Sequence, residues 1–285
     1  MPELPEVETV ARGLRAVLPG RRILSVSLGK TDFIDDPAAL EQTLAGCRII
    51  AVRRHGKFLV LDLESANADD ARPSLLIHLG MTGQLVVCPS EAPVVPHTHV
   101  FLALDDGREL RYTDIRRFGR MRIVHDGEHE STLTELSLDP LEATEEEFSA
   151  KLRGRRARIK ALLLDQRVLR GMGNIYTDES LWRARIHPAR LGSTLKPYEL
   201  RNLHRAIRAV LLEAIRLRGS SISDYVDSEG RRGEFQLRHR VYRRTGKKCF
   251  RCGTKIRRAI VAGRGTHFCP RCQPAPRLRR PSNSS

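Results

Sequence analysis

The chain has 285 residues, 40% of them hydrophobic, enough for one large domain or two ordinary ones with real cores. No apolar run approaches the roughly 20 residues that span a bilayer, and the start Met1-Pro2-Glu3-Leu4-Pro5-Glu6 lacks the apolar stretch of an export signal. A cytoplasmic protein with reduced cysteines and no membrane partner is therefore expected. The net charge is +16 and lopsided: residues 1–150 hold 16 Lys+Arg against 25 Asp+Glu, residues 151–285 hold 34 against 9. A half this basic suits a polyanion, and its cations are spread over several elements rather than along one amphipathic helix, which favours nucleic acid over a membrane surface.

Residues 5–17 predict a helix, with Pro5 in the first turn and Val7, Val10, Leu14 and Val17 on one face. Strands are predicted at Ile23–Leu28, Ile49–Val52, Phe58–Leu63, Leu75–Leu79, Leu85–Val87, Val100–Leu104, Glu109–Tyr112 and Met121–Val124. Asp105-Asp106-Gly107-Arg108 is a hairpin turn signal. Residues 1–130 thus read as a β-sandwich domain carrying an N-terminal helix.

Residues 126–147 are acidic and aperiodic and read as the inter-domain connection, with the linker proper at 131–147. Helices are expected at Lys151–Gln166, at Asn174–Ala184 behind Gly171-Met172-Gly173, and at Pro197–Arg218. They make a helical domain over 148–235. A cysteine module follows at 236–273, then a Pro/Arg/Ser-rich tail over 274–285 that is expected to be disordered. The fold class is α+β.

Cys249-x2-Cys252 and Cys269-x2-Cys272, sixteen residues apart, are the strongest spacing signal in the chain. Two such knuckles make a tetrahedral thiolate site for one Zn²⁺. Four protein ligands leave no open position, so the metal is expected to be structural. The segment has too few apolar residues for a core of its own, and zinc would supply its folding energy. Lys247, Lys248, Arg251, Lys255, Arg257, Arg258 and Arg264 suit a hairpin lying against phosphates. Cys47 and Cys88 lie in apolar contexts and read as inert core thiols.

The N-terminus offers chemistry of another kind. If Met1 is removed, Pro2 presents a free secondary amine, part of it neutral near pH 7.7–8.0, where α-amino groups titrate. A neutral amine can attack a sugar C1′ and form an iminium. Glu3, beside it, and Glu6, one turn on, are placed to carry protons. Taken alone, the same residues are read first as a helix start with a first-turn proline and dipole-favoured acids.

Seven motifs in order decide between these readings. They are Pro2-Glu3-Leu4-Pro5-Glu6-Val7-Glu8-Thr9, His55-Gly56-Lys57-Phe58-Leu59, His78-Leu79-Gly80-Met81-Thr82-Gly83, Tyr112-Thr113-Asp114-Ile115-Arg116-Arg117-Phe118-Gly119, Leu164-Asp165-Gln166, Gly171-Met172-Gly173-Asn174-Ile175-Tyr176, and the four-cysteine finger with Gly263-Arg264-Gly265-Thr266. Together they resemble the formamidopyrimidine-DNA glycosylase family over residues 2–273.

The resemblance implies a helix–two-turn–helix domain ending in a zinc-finger β-hairpin. It implies a monomeric, bifunctional DNA repair enzyme that excises oxidised purines from damaged double-stranded DNA and then cleaves the abasic strand. It makes Pro2 the Schiff-base nucleophile, Glu3 the general acid/base, Lys57 an aid to β-elimination, and Arg264 a phosphate contact that serves δ-elimination. Met81, Arg116 and Phe118 match the triad that fills the hole left by a flipped base. Glu6 falls in the base pocket. His97, Arg116, Arg155, Lys160 and Asn174 fall at DNA-contact positions, with Arg155 standing where a lysine is common. Residues 219–233 match the base-capping loop. The alternative is the endonuclease VIII type, specific for oxidised pyrimidines. Its typical start is Pro-Glu-Gly-Pro, and Leu4, with Met81, Arg116 and Phe118, favours the purine type.

Overall fold

The computed structural model describes residues 2–65, 72–125, 137–222 and 224–276. Met1, most of the tail expected over 274–285, and part of the linker expected over 131–147 lie outside the described residues. The chain forms two compact units, one of residues 1–137 and 211–237, the other of 138–210 and 238–285. A boundary at residue 235 leaves 211–235 with the helical domain, whereas in the structure residues 211–237 pack into the first unit.

The first unit opens with α1, Leu4–Arg15, whose Leu4, Val7, Val10, Ala11 and Leu14 are all buried. That 3–4 spacing is the apolar stripe seen in the sequence. The strands are β1 (Ile23–Leu28), β2 (Arg48–His55), β3 (Phe58–Glu64), β4 (Ser74–His78), β5 (Gln84–Pro89), β6 (Thr98–Leu104), β7 (Arg108–Thr113) and β8 (Arg120–Val124). They make two four-stranded antiparallel sheets, ordered β1-β6-β7-β5 and β2-β3-β4-β8. Ile23, Leu102 and Leu110 of one sheet share a core with Leu59, Leu61 and Ile77 of the other and with the apolar face of α1. This is the expected sandwich. The sequence reading missed α2, Pro37–Leu44, which starts at an Asp36 cap and buries only Leu40 and Leu44.

One buried charge cluster ties α1 to the sheet. Glu8 accepts hydrogen bonds from Arg12 Nε (2.9 Å) and Arg15 Nη1 (3.0 Å) on Oε1, and from Arg54 Nε (2.9 Å) on Oε2. Burial alone would raise the Glu8 carboxyl, but hydrogen bonds from Arg15, Arg12 and Arg54 hold it below the usual carboxylate range. The Glu8 and Arg54 side chains are 9% and 5% exposed, so removing one partner strands the other. Glu8→Ala is expected to cost about 3–5 kcal/mol, read as a lower denaturation midpoint. Because the folded-state pKa is depressed, this stabilisation is complete above the unfolded carboxyl's ~4.3. It fades as pH falls through the folded value, so the gap between parent and variant should narrow in acid.

In the second unit the expected helix Lys151–Gln166 is two helices, α3 (Glu145–Leu152) and α4 (Ile159–Leu164). Thr144 caps α3, accepting from Glu147 N while Glu147 Oε2 accepts from Thr144 N, so the helix begins inside the expected linker. Gly154 at φ +75° turns the chain, and Ala157 and Arg155 are drawn instead into backbone bonds with Gly192 and Ser193. Next come α5 (Asn174–Arg183) and α6 (Pro197–Arg216), the latter passing from the second unit into the first. The cysteine module carries one antiparallel hairpin, β9 (Arg257–Val261) and β10 (Arg264–Phe268). Among the described residues no helix is long and apolar enough to cross a membrane.

Candidate functional site

In the first unit, Pro2, Glu3 and Glu6 are all buried at the head of α1. Glu6 Oε2 accepts from the Glu3 backbone N–H at 2.8 Å, which fixes the peptide immediately after Pro2. Glu6 Oε1 accepts from the Ser220 N–H at 2.7 Å, and Tyr225 Oη donates to the Glu6 carbonyl at 3.3 Å. One carboxylate thus binds the loop after α6 to the first turn of α1. Gly219, at φ +77°, is required there: a Cβ would lie 2.7 Å from Glu6 Oε1. Ser220 and Tyr225 were missed from sequence, and Tyr225's burial pushes its phenol far above the usual range. Residue 223 of the expected capping loop lies outside the described residues.

Lys57 is in the turn of the β2–β3 hairpin, where Gly56 takes φ +59° and His55 pairs with Phe58. It is only 9% exposed, unlike a solvated surface lysine. Helix α1 packs on these same two strands. Across the sheet, burial first, then the charges of Lys57 and Arg120, hold the His78 imidazole below its usual pKa. His78 is therefore neutral at pH 7.

Met81, Arg116 and Phe118 occupy two neighbouring loops and are all exposed, Met81 at 38% and Phe118 at 54%. A composition-based reading makes the two apolar residues core. The structure turns them out and stacks the Arg116 guanidinium 4.4 Å from the Phe118 ring centre. Asp114, fully buried, sets this arrangement. It accepts from Thr82 Oγ1 (2.5 Å), Tyr112 Oη (3.1 Å), Arg116 N (3.2 Å) and Gly119 N (2.9 Å). Gly80 lets the loops touch, since a Cβ on it would meet the Phe118 carbonyl carbon at 2.4 Å. His97 is exposed at φ +67°, with its carbonyl accepting from Asp114 N.

In the second unit, Arg155 is exposed on the α3–α4 connection. Asn174 begins α5, where a helix N-terminus offers its N–H groups to an anion, and donates from Nδ2 to Gly265 O at 3.0 Å. Lys160 requires a correction. Expected to touch DNA, it is 0% exposed, and its Nζ donates to Asp178 Oδ1 at 2.6 Å. A fully buried, paired ammonium presents no surface to a phosphate. Arg264 is exposed at the hairpin tip, just past Ala262 and Gly263, which both take positive φ in the turn.

The four cysteines meet as their spacing predicts. Their Sγ atoms all lie within 4.8 Å of one another, with Cys252–Cys269 at 3.4 Å and Cys249–Cys272 at 4.0 Å. A zinc tetrathiolate with ~2.3 Å bonds has edges of about 3.8 Å, so the set fits Zn²⁺. Outer partners orient it: Trp182 Nε1 donates to Cys249 Sγ and Cys272 N to Cys269 Sγ, both at 3.4 Å. One structural zinc is held here, with no open position for substrate. Sequence reading missed the neighbouring anchor. Glu179 is buried on α5 and accepts from the backbone N–H groups of Arg240, Val241 and Tyr242. Burial pushes its carboxyl up, opposed by those three bonds.

Comparison with known proteins points to one family. Residues 1–121 match the formamidopyrimidine-DNA glycosylase N-terminal domain, 136–226 the H2TH domain of the same enzymes, and 246–275 the zinc finger found in FPG and IleRS. The formamidopyrimidine-DNA glycosylase of Solibacter usitatus is 47% identical over 275 residues, covering 96% of this chain and 99% of its own. A mutant Lactococcus lactis FPG bound to Fapy-dG containing DNA superposes with a TM-score of 0.87 at 36% identity, covering 96% and 100%. A MutM in complex with carbocyclic 8-oxo-G containing DNA gives 0.86 at 35%, with the same coverage. The chain belongs to the formamidopyrimidine-DNA glycosylase family.

Proposed function

We propose that this chain removes 8-oxoguanine and formamidopyrimidines from duplex DNA and then cleaves the abasic strand. With Met1 gone, the Pro2 nitrogen attacks C1′ of the damaged nucleoside. The C1′–N bond breaks and the base leaves with a proton; the C1′–O4′ bond then breaks, O4′ takes a proton, and an iminium joins Pro2 to the opened sugar. Loss of the C2′ proton breaks the C3′–O bond and releases one phosphate. Loss of the C4′ proton then breaks the C5′–O bond and releases the other. Water hydrolyses the iminium and restores the amine. We assign the proton transfers at the sugar to Glu3, aid to the first elimination to Lys57, and phosphate contact in the second to Arg264.

Met81, Arg116 and Phe118 fill the space of the flipped nucleotide, while His97, Arg116, Arg155 and Asn174 hold phosphates. Glu6 lines the base pocket. The observation that carries the reading is the exposed Met81–Arg116–Phe118 set on loops locked by Asp114. Two large apolar side chains held rigidly in water fit a surface that something must cover, and a gap in a base stack is of that size and chemistry. The protein acts as a monomer.

The test is a panel of duplexes carrying 8-oxoguanine, a formamidopyrimidine or an oxidised pyrimidine opposite its normal partner. The two purine lesions should be cut fastest. Faster cutting of the oxidised pyrimidine would replace this reading with the endonuclease VIII one.

A further inference from the structure

Lys160 and Asp178 form an ion pair with both side chains fully buried. Such a pair is costly to bury and adds little to stability compared with apolar residues of the same size. Its geometry shows what it achieves instead. Lys160 is on α4 and Asp178 on α5, and between them they reach the strand that begins with Arg264. Lys160 Nζ lies 3.4 Å from the Gly265 carbonyl, which also accepts from Asn174 Nδ2 at 3.0 Å. Asp178 Oδ2 accepts from the His267 N–H at 2.8 Å and lies 3.2 Å from His267 Nδ1. So β10 is clamped at Gly265 and His267, the residues one and three places beyond Arg264.

The zinc does not make these contacts. The ligand Cys269 lies just beyond the far end of the strand, and the site's tie to α5 runs through Trp182 and Cys249, so neither fixes β10 at Gly265 or His267. We infer that Asp178, fixed by Lys160, is the positioning residue that aims Arg264. Asn174, at the phosphate-binding end of α5, shares the Gly265 carbonyl with Lys160, so the two proposed phosphate contacts are set by one network. Lys160 affects DNA from inside the protein, through the backbone of β10. A misplacement of a functional group by about 1 Å can cost roughly a hundredfold in rate.

This inference rests on the role proposed for Arg264, and the test separates the two. Single-turnover cleavage of abasic duplex by saturating protein yields both β-elimination and β,δ-elimination products, and their ratio is the readout. Asp178→Asn places an amide N–H against Lys160 Nζ or the His267 N–H, and should lower the β,δ-to-β ratio roughly 10–100-fold with one zinc per chain retained. Arg264→Ala should lower it as far, and the double variant no further. A normal ratio in Arg264→Ala overturns the role of Arg264. A low ratio there with a normal one in Asp178→Asn overturns the positioning inference alone. Should Asp178→Asn lose zinc, the Lys160→Met, Asp178→Leu pair restores an apolar fit without the clamp. It should show the same low ratio, and a parental ratio in it would overturn the inference.

Discussion

Removing the zinc is expected to abolish DNA binding while the N-terminal sandwich stays folded. The asymmetry follows from where each unit gets its stability. The sandwich buries leucines, isoleucines and valines from both sheets and α1. The cysteine module has a small core: among the described residues Trp182, Val241, Cys249, Ile256 and Cys269 form its buried cluster, and two of those are ligands. Metal binding in small thiolate modules supplies about 10–16 kcal/mol of folding free energy, more than this cluster could replace. Without the metal, four thiolates within 4.8 Å repel or protonate, and β10 loses the anchor at Cys269. Arg264 goes with it, along with the cations at 247, 248, 251, 255, 257 and 258. A chelator titration followed by gel shift and by circular dichroism should show binding lost before the β signal. Undiminished affinity in metal-free protein would exclude the finger as a DNA-binding element.

How far the sequence led depended on how local each feature is. The strands were legible because alternation and turn residues are local: β1 matched to the residue, and the rest within a few positions. The cysteine site was legible because its spacing is itself the geometry. Helix α2 was passed over although Asp36-Pro37 is a start signal, since two buried leucines make too thin a stripe to register. The single basic helix over 151–166 failed at Gly154, whose positive φ breaks it, and at Arg153–Arg158, where tertiary backbone bonds replace helical ones.

The site shows the same division. The motifs suggested roles for Pro2, Glu3, Lys57 and Arg264, but none for the carboxylates that hold the frame around them, although Glu8 and Asp114 stand within those motifs. Glu8, Asp114, Asp178 and Glu179 each act on partners far along the chain: Glu8 on Arg54, Asp114 on Thr82, Asp178 on His267, Glu179 on Tyr242. Lys160 stood at a DNA-contact position of the family, in a basic run. Only the packing of α4 against α5 reveals that it faces inward.

Any residue left on the Pro2 nitrogen should eliminate covalent chemistry altogether. With Met1 attached that nitrogen is a tertiary amide: its lone pair is delocalised and it cannot form an iminium. A variant whose N-terminal residue resists removal should therefore give no borohydride-trapped DNA adduct and no strand cleavage, yet bind an abasic-site duplex with near-parental affinity. Pro2→Gly is the graded companion. It keeps an amine, but a primary one on a flexible residue, in place of a ring buried at the head of α1 and followed by a peptide pinned through Glu3 N–H to Glu6. Trapping and 8-oxoguanine cleavage should both fall by on the order of a hundredfold or more, as when a positioned nucleophile is replaced by a loosely held one. If Pro2→Gly traps and cuts like the parent, the ring contributes nothing; if the variant that keeps Met1 still traps, the nucleophile is another amine. Lys57, the buried lysine of the same unit, is then the first to test.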